Sequence, residues 1–149
     1  MTVKLKVINR KEFENKIKTM SVKTLFNLKK TVRVTANDVR NTAIKSIVQN
    51  ARGGSEVKRS NPPRTIRISK EGDPPASDTG FLASNIHLIM DGDQLGASVE
   101  SRAKYSHALE FGTLNMRPRP FMQPALEQGK RKYKAMFAKA VKDGIWYNI

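Results

Sequence analysis

The chain is 149 residues long, 38% hydrophobic and free of cysteine. That length sets a single domain able to bury a core unaided, and the missing thiols exclude thiolate metal sites, cysteine nucleophiles and a disulfide scaffold. Lysine and arginine number 28 against 13 acidic residues, for a formal net charge of +15, and residues 1–50 alone hold 12 basic and 3 acidic side chains. Such an excess points to a polyanion or an acidic protein surface as partner, or else to lysines that simply solvate a helix; it is silent on fold. Residues 1–8 interleave lysines with valines and a leucine, so no signal peptide is expected. No apolar run approaches the roughly 18 residues of a transmembrane helix, and the absence of cysteine suits a reducing, cytosolic site of synthesis.

Residues 2–8 alternate apolar and polar side chains with β-branched members, which predicts a short strand. From Lys11 the period changes. Phe13, Ile17, Met20, Leu25, Leu28, Val32, Ala36, Val39, Ala43, Ile47 and Ala51 recur at steps of mainly three and four, the mark of one amphipathic helix. Ser21 could restart it, and the β-branched run at 31–35 is a potential kink. About 40 residues at ~1.5 Å each span ~60 Å, longer than the ~40 Å diameter of a globule of this size. The helix is therefore expected to break, or to project and seek a second subunit.

Residues 52–80 hold four glycines and four prolines among polar residues and are expected to be mostly mobile loop, with a brief edge strand at 65–69. Such a loop is also a candidate for ordering only on assembly. Residues 84–101 read as a hairpin: Ile86, Leu88 and Met90 alternate with Asn85, His87 and Ile89, Asp91-Gly92-Asp93 turns, and Leu95, Ala97 and Val99 return. A short helix is expected over 103–111, ended by Gly112. A last helix should run from about Phe121 to Asp143 with Met122, Leu126, Tyr133, Met136, Phe137, Ala140 and Val141 on one side. Gly129 weakens that helix, Gly144 should stop it, and the tail 144–149 is apolar enough to dock.

His107 and Glu110 stand three apart on the short helix, a spacing open to a metal or an acid–base pair. Zinc needs three or four ligands, and the only other histidine is His87, in the hairpin. No third orienting group and no phosphate-cradling glycine motif accompanies them, so neither catalytic residues nor a metal or cofactor are expected. The same region has a mechanical reading. Arg117-Pro118-Arg119-Pro120 is a stiff extended strap, since proline fixes its own φ and pushes its predecessor to extended backbone. Pro124 falls in the first turn of the following helix, where a missing N–H costs little. Glu110 could bond backbone amides of the strap, or pair with Arg117 or Arg119.

Glu110-Phe111-Gly112-Thr113, then Arg119-Pro120-Phe121 and Pro124-Ala125, preceded by Asp78-Thr79-Gly80-x-Leu82-x-Ser84-x-Ile86, a hairpin and Tyr105, form an ordered set of short motifs. With the lysine-rich N-terminal helix, this order resembles the neck family of long-tailed bacteriophages, the small head–tail joining or tail-completion proteins. The resemblance spans about residues 10–143, with its motifs confined to 78–126. It implies one α+β domain over 1–149: a long N-terminal helix and a C-terminal helix packed on a small antiparallel sheet, with a long loop before the sheet. It further implies a structural, non-catalytic virion protein, assembled in the host cytoplasm or from a prophage. The protein would form a homo-oligomeric ring, hexameric or dodecameric, between head-closure and tail proteins, with no membrane involved.

Carried over by position, Thr79, Gly80, Leu82 and Tyr105 lead into the sheet. Glu110, Phe111, Gly112, Thr113, Arg117, Arg119, Pro120, Phe121 and Pro124 form the corner before the last helix, as fold-shaping or subunit-contact residues. Phe121 is expected to serve the core first. The charge adds an expectation: some of Lys4, Lys6, Lys11, Lys16, Lys18, Lys23, Lys29, Lys30 and Arg33 meet packaged DNA or an acidic neck partner, through phosphate contacts that read no sequence if DNA. Two rival readings are a stand-alone nucleic-acid-binding protein, carried by charge alone, and an enzyme centred on His107 and Glu110.

Overall fold

The computed structural model describes residues 2–5, 22–49 and 54–145. Strand β1 (Thr2–Leu5) is followed by helix α1 (Val22–Gln49), strands β2 (Ser55–Ser60) and β3 (Pro63–Ile68), and a one-turn helix α2 (Phe81–Ser84). Strands β4 (Ile86–Met90) and β5 (Ala97–Ser101), the short helix α3 (Ser106–Phe111) and helix α4 (Met122–Ile145) complete the chain. The expected α+β class is what is found: two long helices on a small antiparallel sheet.

The sheet is built on alternation. Its order is β1-β5-β4, all antiparallel, with Leu88 opposite Val99 and Met90 opposite Ala97. Along β5 the buried residues are Ala97, Val99 and Ser101, so one face is turned inward by the period of two. The turn between β4 and β5 is closed by the Asp91 N–H on the Gly96 carbonyl at 2.9 Å, with Gln94 in the left-handed region at φ 60°.

Helix α1 supplies the other side of the core. Leu28, Val32, Ala36, Val39, Ala43 and Ile47 are buried at helical spacing. The β-branched run does not interrupt the helix: the Thr31 hydroxyl donates to the Asn27 carbonyl at 2.8 Å and the Thr35 hydroxyl to that of Thr31 at 2.9 Å. Both buried hydroxyls are thus satisfied within the helix. Of the stripe read from the sequence, the part from Leu28 to Ile47 is covered by this chain's own sheet and α4, so no second subunit is needed for it. The apolar groups left outside lie off that stripe, at Val22, Phe26 (66% exposed), Val34 and Val48. Positions 6–21 fall outside the described residues.

Three further expectations are corrected. Residues 52–80, expected to be mostly loop with one edge strand, hold two strands: β2 and β3 pair into a separate two-stranded sheet with Val57 opposite Ile66 and Glu56 opposite Arg67. Every β2 side chain is exposed, so no buried face imposed an apolar period that could have shown the strand in the sequence. The predicted strand at 65–69 is found at Pro63–Ile68, with proline at its first position. Gly144 does not stop α4, which continues to Ile145; a lone glycine costs only about 1 kcal/mol in a helix. Gly129, read as a weak point, is buried because the Tyr133 ring lies over it: a Cβ there would come within 2.0 Å of that ring. The tail beyond Ile145 is outside the described residues.

Candidate functional site: the corner before the last helix

The corner turns on one carboxylate. Glu110 is 4% exposed. Its Oε2 accepts the backbone N–H of Phe121 at 2.9 Å and of Met122 at 3.1 Å, and its Oε1 accepts that of Gln123 at 2.9 Å. A helix leaves its first four N–H groups without partners. Here three are held by Glu110, and the fourth position is Pro124, which has no N–H to satisfy. The negative charge also faces the positive end of the α4 dipole. Of the alternatives open in the sequence, the structure selects the backbone amides. Glu110 does not pair with Arg117, which meets Glu71 at 3.3 Å.

Gly112 makes the corner geometrically possible. It sits at φ 77°, and a Cβ there would meet the Met116 carbonyl oxygen at 2.7 Å. The chain beyond it folds back on itself, Thr113 donating to the Met116 carbonyl at 2.8 Å and receiving the Met116 N–H at 3.3 Å. The tip of this turn is Leu114, fully exposed, and Phe111 beside it is 56% exposed with its ring 4.8 Å from that of His107. The strap is fastened on both sides, as the Arg119 N–H donates to the Leu109 carbonyl and Gly72 donates to the Pro118 carbonyl at 3.1 Å. Phe121 is fully buried, Pro120 is half-buried and Pro124 is exposed.

The remaining motif residues gather at the other end of α3. Gly80, at φ 77°, precedes α2, and the Thr79 hydroxyl accepts the Phe81 N–H at 3.3 Å. Leu82 enters the core, while Tyr105 leans on Phe81 with ring centroids 6.3 Å apart. Burial and the nearby Asp78 charge raise the Tyr105 phenol above its usual range. Asp78 in turn receives Arg64 of β3 at 2.9 Å, which ties the separate hairpin to this loop. A shallow cleft lies between Arg59, Asp78, Phe81 and Tyr105. Helix α3 therefore joins both motif clusters, one at each end.

Helices α1 and α4 are pinned at one point. Asp38 Oδ2 accepts the Lys132 ammonium at 3.1 Å and the Tyr133 hydroxyl at 3.0 Å. The Lys132 hydrogen bond, reinforced by Tyr133, holds the Asp38 carboxyl below its usual range although burial pushes the other way. Burial, then Asp38, pushes the Tyr133 phenol up to about 12. Nothing in the spacing of Asp38 and Tyr133, 95 residues apart, announces this pairing.

Of the basic candidates, Lys23, Lys30 and Arg33 are exposed on α1 and Lys29 is half-buried, while Lys4 occupies β1 opposite Ser98. Lys6, Lys11, Lys16 and Lys18 lie outside the described residues. The sequence reading passed over the basic side chains of α4: Lys130, Arg131, Lys132, Lys134, Lys139 and Lys142, all exposed. His107 and Glu110 do not converge, one stacking outward on Phe111 and the other buried under α4. Among the described residues no group of three or more His, Cys, Asp or Glu could hold a metal ion, and no helix is long and apolar enough to cross a membrane.

The described residues form a small α+β scaffold whose motif residues brace a corner and leave Leu114 exposed at its tip. The particular family follows from comparison with family models: residues 11–112 match the family described as "Bacteriophage HK97-gp10, putative tail-component". The chain belongs to this family of phage tail components. The match takes in the Asp78–Leu82 cluster, Tyr105 and Glu110 and ends at Gly112, so the Arg-Pro strap lies beyond it. No curated protein and no solved structure matches the chain.

Proposed function

We propose that this chain is a structural protein of the phage neck, assembling as a ring that joins the DNA-filled head to the tail, with no catalytic step. The observation that carries this reading is the braced corner: a buried glutamate fixes the end of α4 so that Phe111 and Leu114 stand outward on a rigid turn. Exposed apolar side chains on a fixed support are what a partner surface buries. Membership in a tail-component family supports the location, and the Lys23, Lys30 and Arg33 side chains of α1 supply cations for an acidic neck protein. Ring closure of six or twelve copies would cover Val22 and Phe26 as well.

Complementation tests this. A phage lacking the chain is supplied with Phe111→Asp/Leu114→Asp, with a thermal melt of the purified variant to establish that it is folded. The expected result is accumulation of DNA-filled, tailless heads in electron micrographs. A normal yield of tailed, infectious particles would sink the proposal for this surface. The stand-alone nucleic-acid-binding reading predicts instead that such particles form without the chain at all.

A further inference from the structure

We infer that the outward face of α4 is a track for the phosphate backbone of double-stranded DNA, separate from the α1 cations. Of the six basic residues on α4, two are already engaged: Lys130 with Glu127 at 3.2 Å and Lys132 with Asp38 at 3.1 Å. Arg131, Lys134, Lys139 and Lys142 are exposed and hold no carboxylate among the described residues. At 100° per residue, positions 131, 134, 138 and 142 fall on one side of the helix, opposite buried Met122, Gly129, Tyr133 and Ala140. From Arg131 to Lys142 the row runs about 16 Å, a length along which a duplex presents roughly ten phosphate charges. The intervening exposed residues, Ala135 and Ala138, are small and leave the backbone room to approach.

The composition of this face selects its partner. Protein interfaces are depleted in lysine at their centres and anchored by large apolar side chains, and this row has none. A second copy is a poor match because most carboxylates of the chain are spoken for. Asp38, Glu56, Glu71, Asp78, Glu100 and Glu127 each hold a cation of the same chain, and Glu110 is used on α4. Few carboxylates are left to face the row from a second copy, and a regular polyanion suits a straight row of cations. The row is also held still, by the Glu110 cap at one end of α4 and by the Asp38–Tyr133 bond midway. The inference uses the neck reading only for where DNA would be met.

The test measures anisotropy of a labelled 30-base-pair duplex with the purified full chain across a salt series. Arg131→Gln/Lys134→Gln/Lys142→Gln should flatten the log–log salt slope by about 3 and weaken binding about a hundredfold or more at 0.1 M salt. Lys29→Gln/Lys30→Gln/Arg33→Gln should leave the slope close to wild type, and Arg131→Lys should restore its share. Circular dichroism establishes that each variant is folded. The inference is overturned if the wild-type chain does not bind the duplex, if the α4 variant binds as wild type does, or if the α1 variant loses as much. Because the readout needs no phage, its failure is distinct from a failure of tail joining, which the complementation assay reads.

Discussion

Replacing Glu110 by alanine removes the acceptor for three N–H groups at once. Two of these, on fully buried Phe121 and Met122, cannot turn to water; the third, on exposed Gln123, can. Each stranded buried donor costs about 1–3 kcal/mol, and loss of the carboxylate at the helix end adds about 0.3–1 kcal/mol. The expected destabilisation is therefore about 3–5 kcal/mol, a large share of the ~5–15 kcal/mol typical of a domain. Glu110→Gln keeps one carbonyl oxygen but turns an amide group toward an N–H, and should fall between, near ~2 kcal/mol. Urea unfolding followed by far-ultraviolet circular dichroism measures both, provided the slope with denaturant stays constant. Hydrogen exchange should show Phe121 and Met122 losing protection first. A cost below about 1 kcal/mol for the alanine variant would mean that water replaces the carboxylate freely, and the account of the corner would fall.

The seat of Tyr133 gives a prediction with a change of sign. Gly129→Ala should destabilise by about 1–2 kcal/mol, because displacing the ring costs more than the ~1 kcal/mol of helix propensity gained; in a Tyr133→Ala background the same change should stabilise by about 1 kcal/mol. Thermal melts of the four proteins decide it, and a stabilising Gly129→Ala in the wild-type background would refute it. The Tyr133 phenol, raised to about 12 in the fold against ~10 when unfolded, contributes fully below pH ~10. That contribution drains away as pH climbs from ~10 to ~12, by at most about 2–3 kcal/mol. Tyr133→Phe, which has no proton to lose, should narrow or erase its deficit against wild type over that window; a constant difference from pH 9 to 12 would contradict the buried hydrogen bond to Asp38.

Elements with a buried face could be read in advance. The steps from Leu28 to Ile47 and the alternation through Ile86, Leu88, Ala97 and Val99 each record a surface hidden from water, and water imposes the period. Of the pair β2–β3 only the second strand could be read, since Glu56, Lys58, Arg59 and Arg67 face solvent and the pairing is a matter of backbone and turn. Gly144 misled because a helix end is settled by the sum of its contacts and not by one propensity. At the corner, spacing put Glu110 close to the strap but could not choose among its partners; that choice belongs to the direction in which α3 presents the carboxylate. The Asp38–Tyr133 bond was invisible because it joins residues from opposite ends of the chain.

The clamp between Glu110 and the start of α4 closes the ten residues between them into a bracketed segment held by one side-chain carboxylate and three backbone amides. Amides are common to every residue except proline, so changes at Leu114, Asn115 and their neighbours leave the anchorage untouched. Selection can therefore rewrite the tip to follow a changing counterpart while the scaffold beneath it keeps its shape. One carboxylate knotted to backbone amides frees a stretch of surface to drift, and a module of this size can be matched to new neighbours without being refolded.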